Sequence, residues 1–229
     1  MIKENIKNIQ KKIDEYILKS DRKNSNVKLM VVSKFQTIEK IECAINAGQF
    51  LFGENRVQEI VQKFPEILKK YPNVELHMIG NLQRNKVKQV LPFISAIQSV
   101  DRISLLDEII IQAEKLQLKK RVQIYFEIHT AEETKSGFQN IEDLIEVIEK
   151  SAKSSYIKPV GFMTMAPFID DEKVVRASFQ KLKDIAKKCQ EKFPELELNE
   201  LSMGMSGDFH IAIEEGSTLI RIGTAIFGQ

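Results

Sequence analysis

The sequence predicts an α/β fold: a TIM (β/α)8 barrel with an added N-terminal helix. Apolar, strand-like runs alternate eight times with longer helical patterns, which favours parallel strands joined in βαβ units. The chain has 229 residues, a usual size for such a barrel. No linker rich in Pro, Gly or Ser divides it, so we expect a single domain over residues 1–229. An open, doubly wound sheet is the alternative.

The predicted strands are short apolar runs that end in small or polar residues. In chain order they cover residues 29–33, 50–55, 75–80, 96–100, 122–128, 159–165, 200–205 and 218–223. The helical patterns repeat apolar residues at three- and four-residue spacing. They lie near residues 2–20, 37–48, 55–70, 84–91, 102–118, 140–153, 171–192 and 207–215. Thr37, Asp101 and Asn140 are expected helix N-caps.

Composition and charge argue against several classes of function. The 34 basic and 32 acidic residues nearly cancel, and a net charge of +2 provides no field for nucleic acid. No apolar run is long enough to span a bilayer, and the first helix lacks the apolar segment of a secretory signal. Two isolated cysteines, Cys43 and Cys189, suggest a reducing compartment. We therefore expect a cytoplasmic protein that binds neither nucleic acid nor membranes.

A lysine follows the first predicted strand, in the stretch VVSK of residues 31–34. Active sites of such barrels form at the C-terminal ends of the strands, so Lys34 is expected at the mouth of the barrel. A lysine desolvated by the neighbouring strands is more readily neutral, and a neutral amine forms Schiff bases with aldehydes. The alternative is that the strand simply ends there and Lys34 points into water.

Two loops with glycines follow the last two predicted strands, SMGMSGD at 202–208 and RIGT at 221–224. Small residues let backbone N–H groups approach a ligand, and barrels often bind phosphate at this location. Arg221 lies within the apolar last strand, where its guanidinium needs a partner. Together with Lys34, these features suggest an aldehyde bearing a phosphate. The alternatives are glycines that serve tight turns and a structural ion pair at Arg221.

Other chemistry is less well supported. The three histidines do not have the spacing of metal ligands, so no metal site is predicted. His77 lies within the third predicted strand, where a satisfied core histidine is an alternative to a site residue. Glu54, Glu59 and Asp101 show no close pair of the kind that glycoside hydrolysis uses.

Eight stretches of the chain together resemble a known family. They are VVSK (31–34), AGQFLFGENRVQE (47–59), ELHMIGNLQRNK (75–86), VDR (100–102), KSGF (135–138), GFMTMAP (161–167), LSMGMSGD (201–208) and GSTLIRIGTAIFG (216–228). In this combination the chain resembles the pyridoxal phosphate homeostasis protein family, whose barrel is similar to the N-terminal domain of alanine racemase. The resemblance covers nearly the whole chain.

This resemblance implies the cofactor pyridoxal 5′-phosphate and a set of residues that hold it. Lys34 matches the lysine that forms a Schiff base with the cofactor, and Arg221 matches the arginine that faces the pyridine nitrogen. The other matching positions are Ser206, Gly223 and Thr224 for the phosphate, Met205 beside them, and Asn55 and His77 in the pocket lining.

The resemblance also implies a function. The family binds and delivers its cofactor, so we expect a monomeric carrier or homeostasis protein, without enzymatic turnover, that passes pyridoxal 5′-phosphate to apo-enzymes. An arginine does not lend a proton to the pyridine nitrogen, so the bound ring would be a weak electron sink. The second domain through which alanine racemase supplies a tyrosine base is not expected here. A low-activity amino-acid racemase and a Schiff-base aldolase are the alternatives.

Overall fold

The computed structural model describes residues 1–20, 26–131 and 136–228. Within these residues, parallel strands form a closed barrel in which each strand pairs with the next and the last pairs with the first. The strands are β1 (Lys28–Val32), β2 (Leu51–Glu54), β3 (Glu75–Met78), β4 (Ala96–Val100), β5 (Val122–Glu127), β6 (Ile157–Met163), β7 (Glu200–Ser202) and β8 (Leu219–Ile222). The predicted (β/α)8 architecture is thus confirmed.

Helices connect the strands and cover the outside of the barrel. They are α1 (Ile2–Lys19), α2 (Ile38–Asn46), α3 (Val57–Lys70), α4 (Val87–Val90), α5 (Ile103–Lys115), α6 (Ile141–Ala152), α7 (Glu172–Lys192), α8 (Phe209–Glu215) and α9 (Thr224–Phe227). A 3-10 turn at Arg84–Lys86 precedes α4. The ends of the predicted elements agree with these bounds within 3 residues, while the single turn of α9 was not predicted.

Side-chain caps start two of the helices where the sequence predicts them. Thr37 and Asn140 each accept a hydrogen bond from the backbone N–H three residues on, at 3.4 and 2.8 Å. The prediction for Asp101 is wrong, because α5 begins after Arg102. The Asp101 carboxylate instead accepts a hydrogen bond from the Arg102 guanidinium.

The two faces of each strand have different surroundings, because successive side chains of a strand point to opposite sides. Side chains that point outward form the main apolar core with the helices; for example, the rings of Phe52 in β2 and Phe64 in α3 lie 6.5 Å apart. A separate, smaller apolar cluster fills part of the barrel interior and consists of Ala96, Tyr125, Val160 and Met163. The interior also holds polar side chains, among them Gln98 and Ser202, and it leads to the site described below.

The N-terminal helix packs on the barrel through one apolar face. Ile6, Ile9, Ile13 and Ile17 recur at three- and four-residue spacing and are buried. Through them α1 contacts α2, α8 and α9. The Asn5 side-chain amide donates a hydrogen bond to the carbonyl of Ile226 at 2.8 Å, which ties α1 to the last turn of the described chain. In the part of the chain that is described, no helix combines the length and apolarity needed to cross a membrane.

Candidate functional site

A cavity of about 920 Å³ opens at the C-terminal ends of the strands. Its size lies within the range of ligand-binding pockets, ~300–1,000 Å³. Most of the residues predicted from the sequence line it: Lys34, Asn55, Met205, Ser206, Arg221, Gly223 and Thr224. Arg221 comes from β8 and the others from the segments that follow β1, β2, β7 and β8, so closure of the barrel is what brings them together. His77, by contrast, does not line the cavity.

Lys34 enters the cavity two residues beyond the end of β1. It continues the inward-facing series of that strand, in which Val32 also lines the cavity. The predicted desolvation is not observed: Lys34 is exposed, because the cavity is open around it. Of the described residues that line the cavity, Lys34 is the only lysine.

Asn55 presents an unused hydrogen-bond acceptor in the cavity lining. Its Oδ1 atom is buried and has no partner among the described residues. The backbone of Asn55 is in close contact with Gly80, where a Cβ atom would lie 2.3 Å from the Asn55 carbonyl oxygen. A glycine is therefore required at position 80 for the loops after β2 and β3 to approach one another.

The loop after β7 brings backbone groups to the cavity. Gly204 has a φ of +99°, and a Cβ atom there would lie 2.6 Å from that of Ala212, so only glycine fits. The carboxylate of Asp208 accepts a 2.6 Å hydrogen bond from the N–H of Met205, which closes the loop on itself. Burial raises the pKa of Asp208, although this hydrogen bond and the charge of Arg221 oppose the rise. Between Gly204 and Asp208, the backbone of Gly207 is open to the cavity.

The loop after β8 lies beside it. Gly223 follows this strand as the N-cap of α9, which begins directly at Thr224. N–H groups in the first turn of a helix have no partner within that helix, so this turn offers donors to a ligand. The two predicted phosphate-binding loops therefore lie on the same side of the cavity.

Arg221 is buried in the barrel wall, and its guanidinium is held by neutral oxygens. It donates to the carbonyl and the hydroxyl of Ser202 at 2.8 and 2.7 Å and to the carbonyl of Thr164 at 2.8 Å. The predicted alternative of a structural ion pair is therefore not observed among the described residues. Burial lowers the pKa of Arg221 to about 10, with the charges of Asp208 and Glu127 opposing the change. The guanidinium therefore stays positively charged at neutral pH.

A chain of hydrogen bonds runs from Arg221 across the barrel interior. Since arginine only donates, the hydroxyl of Ser202 accepts from it and must donate its own proton to Gln98 Oε1, 2.7 Å away. Gln98 Nε2 then donates to His77 Nδ1 at 2.9 Å. Because Arg221 can only donate, it fixes the donor and the acceptor in each hydrogen bond of this series.

His77 is a buried member of this chain and not part of the cavity wall. It is 2% exposed, and burial, with a smaller effect from the charge of Lys28, lowers its pKa to about 3. The imidazole is therefore neutral at neutral pH, and because Nδ1 accepts a hydrogen bond, its proton resides on Nε2. His77 Nε2 has no partner among the described residues.

Three polar residues of the interior were not predicted as site residues. Gln98 lies within a strand of mostly apolar residues, and this contrast was its only local signal, whereas Ser202 ends the short strand β7 and has no such signal. Glu127, the last residue of β5, lines the cavity and accepts a hydrogen bond from Ser136. Burial raises the pKa of Glu127, and the Ser136 bond opposes the rise. Lys135, part of the quoted stretch KSGF, lies outside the described residues.

The chain matches a family model and several named relatives over most of its length. The family model described as "Alanine racemase, N-terminal domain" matches residues 2–229. A pyridoxal phosphate homeostasis protein from Aquifex aeolicus (strain VF5) is 38% identical over 226 residues, which cover 99% of this chain and 97% of that protein. The Homo sapiens protein of the same name is 34% identical over 209 residues, which cover 88% of this chain and 76% of that protein.

Solved structures give the same result. PipY from Synechococcus elongatus PCC7942, with PLP bound, has a TM-score of 0.86 and 30% identity over 100% of both chains. Alanine racemase from Clostridium difficile 630 has a TM-score of 0.75 and 13% identity, covering 100% of this chain and 56% of that one, so it shares the fold alone. The chain therefore belongs to the alanine racemase N-terminal domain family and, within it, to the pyridoxal phosphate homeostasis proteins.

Proposed function

We propose that this protein binds pyridoxal 5′-phosphate in the cavity, as a Schiff base on Lys34, and serves the intracellular homeostasis or carriage of that cofactor. The observation that carries the proposal is the placement of Lys34 and Arg221, the only lysine and the only arginine among the described lining residues, together with the two backbone loops. An amine for the aldehyde, donors for the phosphate and a fixed cation are the groups that this cofactor requires.

The polar groups of the cavity fit the cofactor. Arg221 has five N–H donors and uses three of them on Ser202 and Thr164, so two are left for a ligand. The acceptor of Asn55 is also free for a ligand. Ser206, Gly223 and Thr224 would hold the phosphate, with Met205 beside them. His77 would act only indirectly, by supporting Ser202 through Gln98.

The chain's own residues favour carriage over catalysis. When bound, the cofactor supplies an electron sink, and this sink is strongest when the ring nitrogen is protonated. Arg221 remains charged and can only donate, so it does not protonate that nitrogen. Glu127 is the buried carboxyl group of the lining, and its hydrogen bond to Ser136 already engages it. We infer a monomeric, cytoplasmic protein; its two cysteines are free thiols, which suits a reducing compartment.

The first test is the visible absorption spectrum after pyridoxal 5′-phosphate is added, followed by borohydride reduction and peptide mass mapping. The expected result is a yellow Schiff-base band and a reduced adduct on Lys34. The band should vanish in Lys34→Ala and persist in Lys88→Ala, which removes an exposed lysine of α4. The absence of a band, or an adduct scattered over surface lysines, would refute the proposal.

A second test separates a carrier from a racemase. A carrier transfers its cofactor to an apo-enzyme that uses pyridoxal 5′-phosphate and restores that enzyme's activity. A racemase exchanges the Cα proton of an amino acid for solvent deuterium. Sustained exchange that disappears in Lys34→Ala would overturn the carrier proposal.

A further inference from the structure

The backbone turn that carries Lys34 is strained. The N–H of Gln36 donates to the carbonyl of Ser33 at 3.1 Å, so Lys34 and Phe35 are the two central residues of a tight turn. Phe35 has a φ of +62°, a value that side chains other than glycine rarely adopt. The Phe35 side chain is 62% exposed, so burial of its ring does not hold the backbone in this state. The Arg56 guanidinium lies over this ring, 4.9 Å from its centroid, and so contacts the side chain of Phe35. The backbone at the two ends of the turn has a separate contact.

That contact is the side chain of Lys63, which reaches the turn from α3. Its ammonium nitrogen lies 3.2 Å from the carbonyl of Ser33 and 3.3 Å from the carbonyl of Gln36. These carbonyls belong to the first and last residues of the turn. A single buried cation therefore bridges both ends of the segment that carries Lys34.

Two carboxylates in turn hold Lys63. Glu54 Oε1 is 2.7 Å and Glu59 Oε2 is 2.8 Å from its ammonium nitrogen. Glu54 is fully buried, and the same Oε1 atom accepts a hydrogen bond from the Ser33 hydroxyl at 2.9 Å. Burial raises the pKa of Glu54, while Lys63 and Ser33 oppose the rise.

Stability alone is a weak reason for such a buried ion pair. Desolvation of two charges offsets most of their attraction, and apolar residues of similar size often replace such pairs without loss. The pair between Glu54 and Lys63 lies on the outer side of the sheet, away from the cavity, so it does not touch a ligand directly. What it contacts is the backbone on either side of Lys34.

We propose that Lys63, supported by Glu54, is a positioning residue that holds the Ser33–Gln36 turn in its strained form and so fixes the direction in which the Lys34 amine enters the cavity. This inference rests on the proposed function, because it concerns the reaction of Lys34 with pyridoxal 5′-phosphate. Reactive groups held in a productive geometry react much faster than freely moving ones.

The test uses Lys63→Met, which keeps an unbranched side chain one atom shorter and removes the ammonium donors. The rate at which the Schiff-base band forms should fall about tenfold or more. Reduction should then trap adducts on other lysines as well as on Lys34. Lys69→Met, which removes an exposed lysine of the same helix, should react at the wild-type rate.

A second substitution distinguishes positioning from general stability. Glycine adopts positive φ without strain, so Phe35→Gly should restore most of the rate in the Lys63→Met background. A loss of rate through weakened packing would not be rescued at an exposed position. If Lys63→Met alone fails to fold, it is combined with Glu54→Gln, because this second substitution removes the Glu54 charge that Lys63 no longer pairs. The rates with and without Phe35→Gly are then compared in that double variant.

A measurement without cofactor separates this inference from the proposed function. Hydrogen exchange of the Gln36 amide should be about tenfold faster or more in Lys63→Met and should slow again when Phe35→Gly is added. A wild-type protein with no Schiff-base band but with this exchange pattern would refute the proposed function alone. Wild-type rates in Lys63→Met, or no rescue by Phe35→Gly, would overturn the positioning role.

Discussion

Replacing His77 with asparagine should flatten the dependence of stability on pH. In the folded protein the pKa of His77 is about 3, against 6.5 for an unperturbed histidine. Between these values the unfolded chain binds a proton that the folded protein does not, so the free energy of unfolding falls as the pH drops below 6.5. At about 1.4 kcal/mol per pH unit, this loss reaches about 2 kcal/mol at pH ~5.

The assay is urea unfolding of wild type and His77→Asn at pH ~7.5 and ~5. Asparagine offers an oxygen near the position of Nδ1, so it can still accept from Gln98, but it does not titrate. Buried acids such as Glu127 and Asp208 are common to both proteins, and their effects cancel in the difference. The wild type should lose about 2 kcal/mol more than the variant on acidification. Equal losses would show that His77 takes up its proton readily in the folded protein and would refute the reasoning.

Two further predictions concern the cavity wall. Ser202→Ala removes the hydroxyl that accepts from Arg221 and donates to Gln98 Oε1, so the buried amide oxygen of Gln98 loses its partner while Arg221 keeps the carbonyls of Ser202 and Thr164. The substitution should lower the free energy of unfolding by about 2 kcal/mol and shift the absorption maximum of the bound cofactor. An unchanged spectrum would mean that Arg221 does not depend on the Ser202 hydroxyl. Gly204→Ala places a Cβ atom on a residue with positive φ and against the side chain of Ala212. It should lower the free energy of unfolding in urea by about 2 kcal/mol or more, and it should weaken phosphate binding measured by calorimetry. A variant as stable as wild type would contradict the close approach of Gly204 to Ala212.

The barrel could be predicted because its signals are local. Each strand is a short apolar run and each helix a repeat of three- and four-residue spacing, and both are visible within a few residues. Lys34 and Arg221 were found because a charge beside or within an apolar strand stands out. The predicted cap at Asp101 is wrong because the Asp101 carboxylate pairs with Arg102, and the sequence does not show that contact.

The barrel interior could not be predicted in the same way. Ser202 and Gln98 are hydrogen-bonded although they are 104 positions apart, and only closure of the barrel brings them together. For His77, the sequence could not decide between a core residue and a pocket residue, because the depth of a side chain within a barrel depends on the tilt of the strands. The exposure of Lys34 depends on an open cavity, which no local pattern records.

The separation of the two strand faces matters for anyone who wishes to engineer this protein. The packing between strands and helices lies outside the barrel, whereas the chain of polar side chains lies inside. A combinatorial library could therefore vary Gln98, Ser202 and His77 together while leaving the main apolar core intact. The variants of such a library would show how the interior side chains change the electron distribution in the ring of a bound ligand. Because the main core is unchanged, this effect could be measured separately from effects on folding.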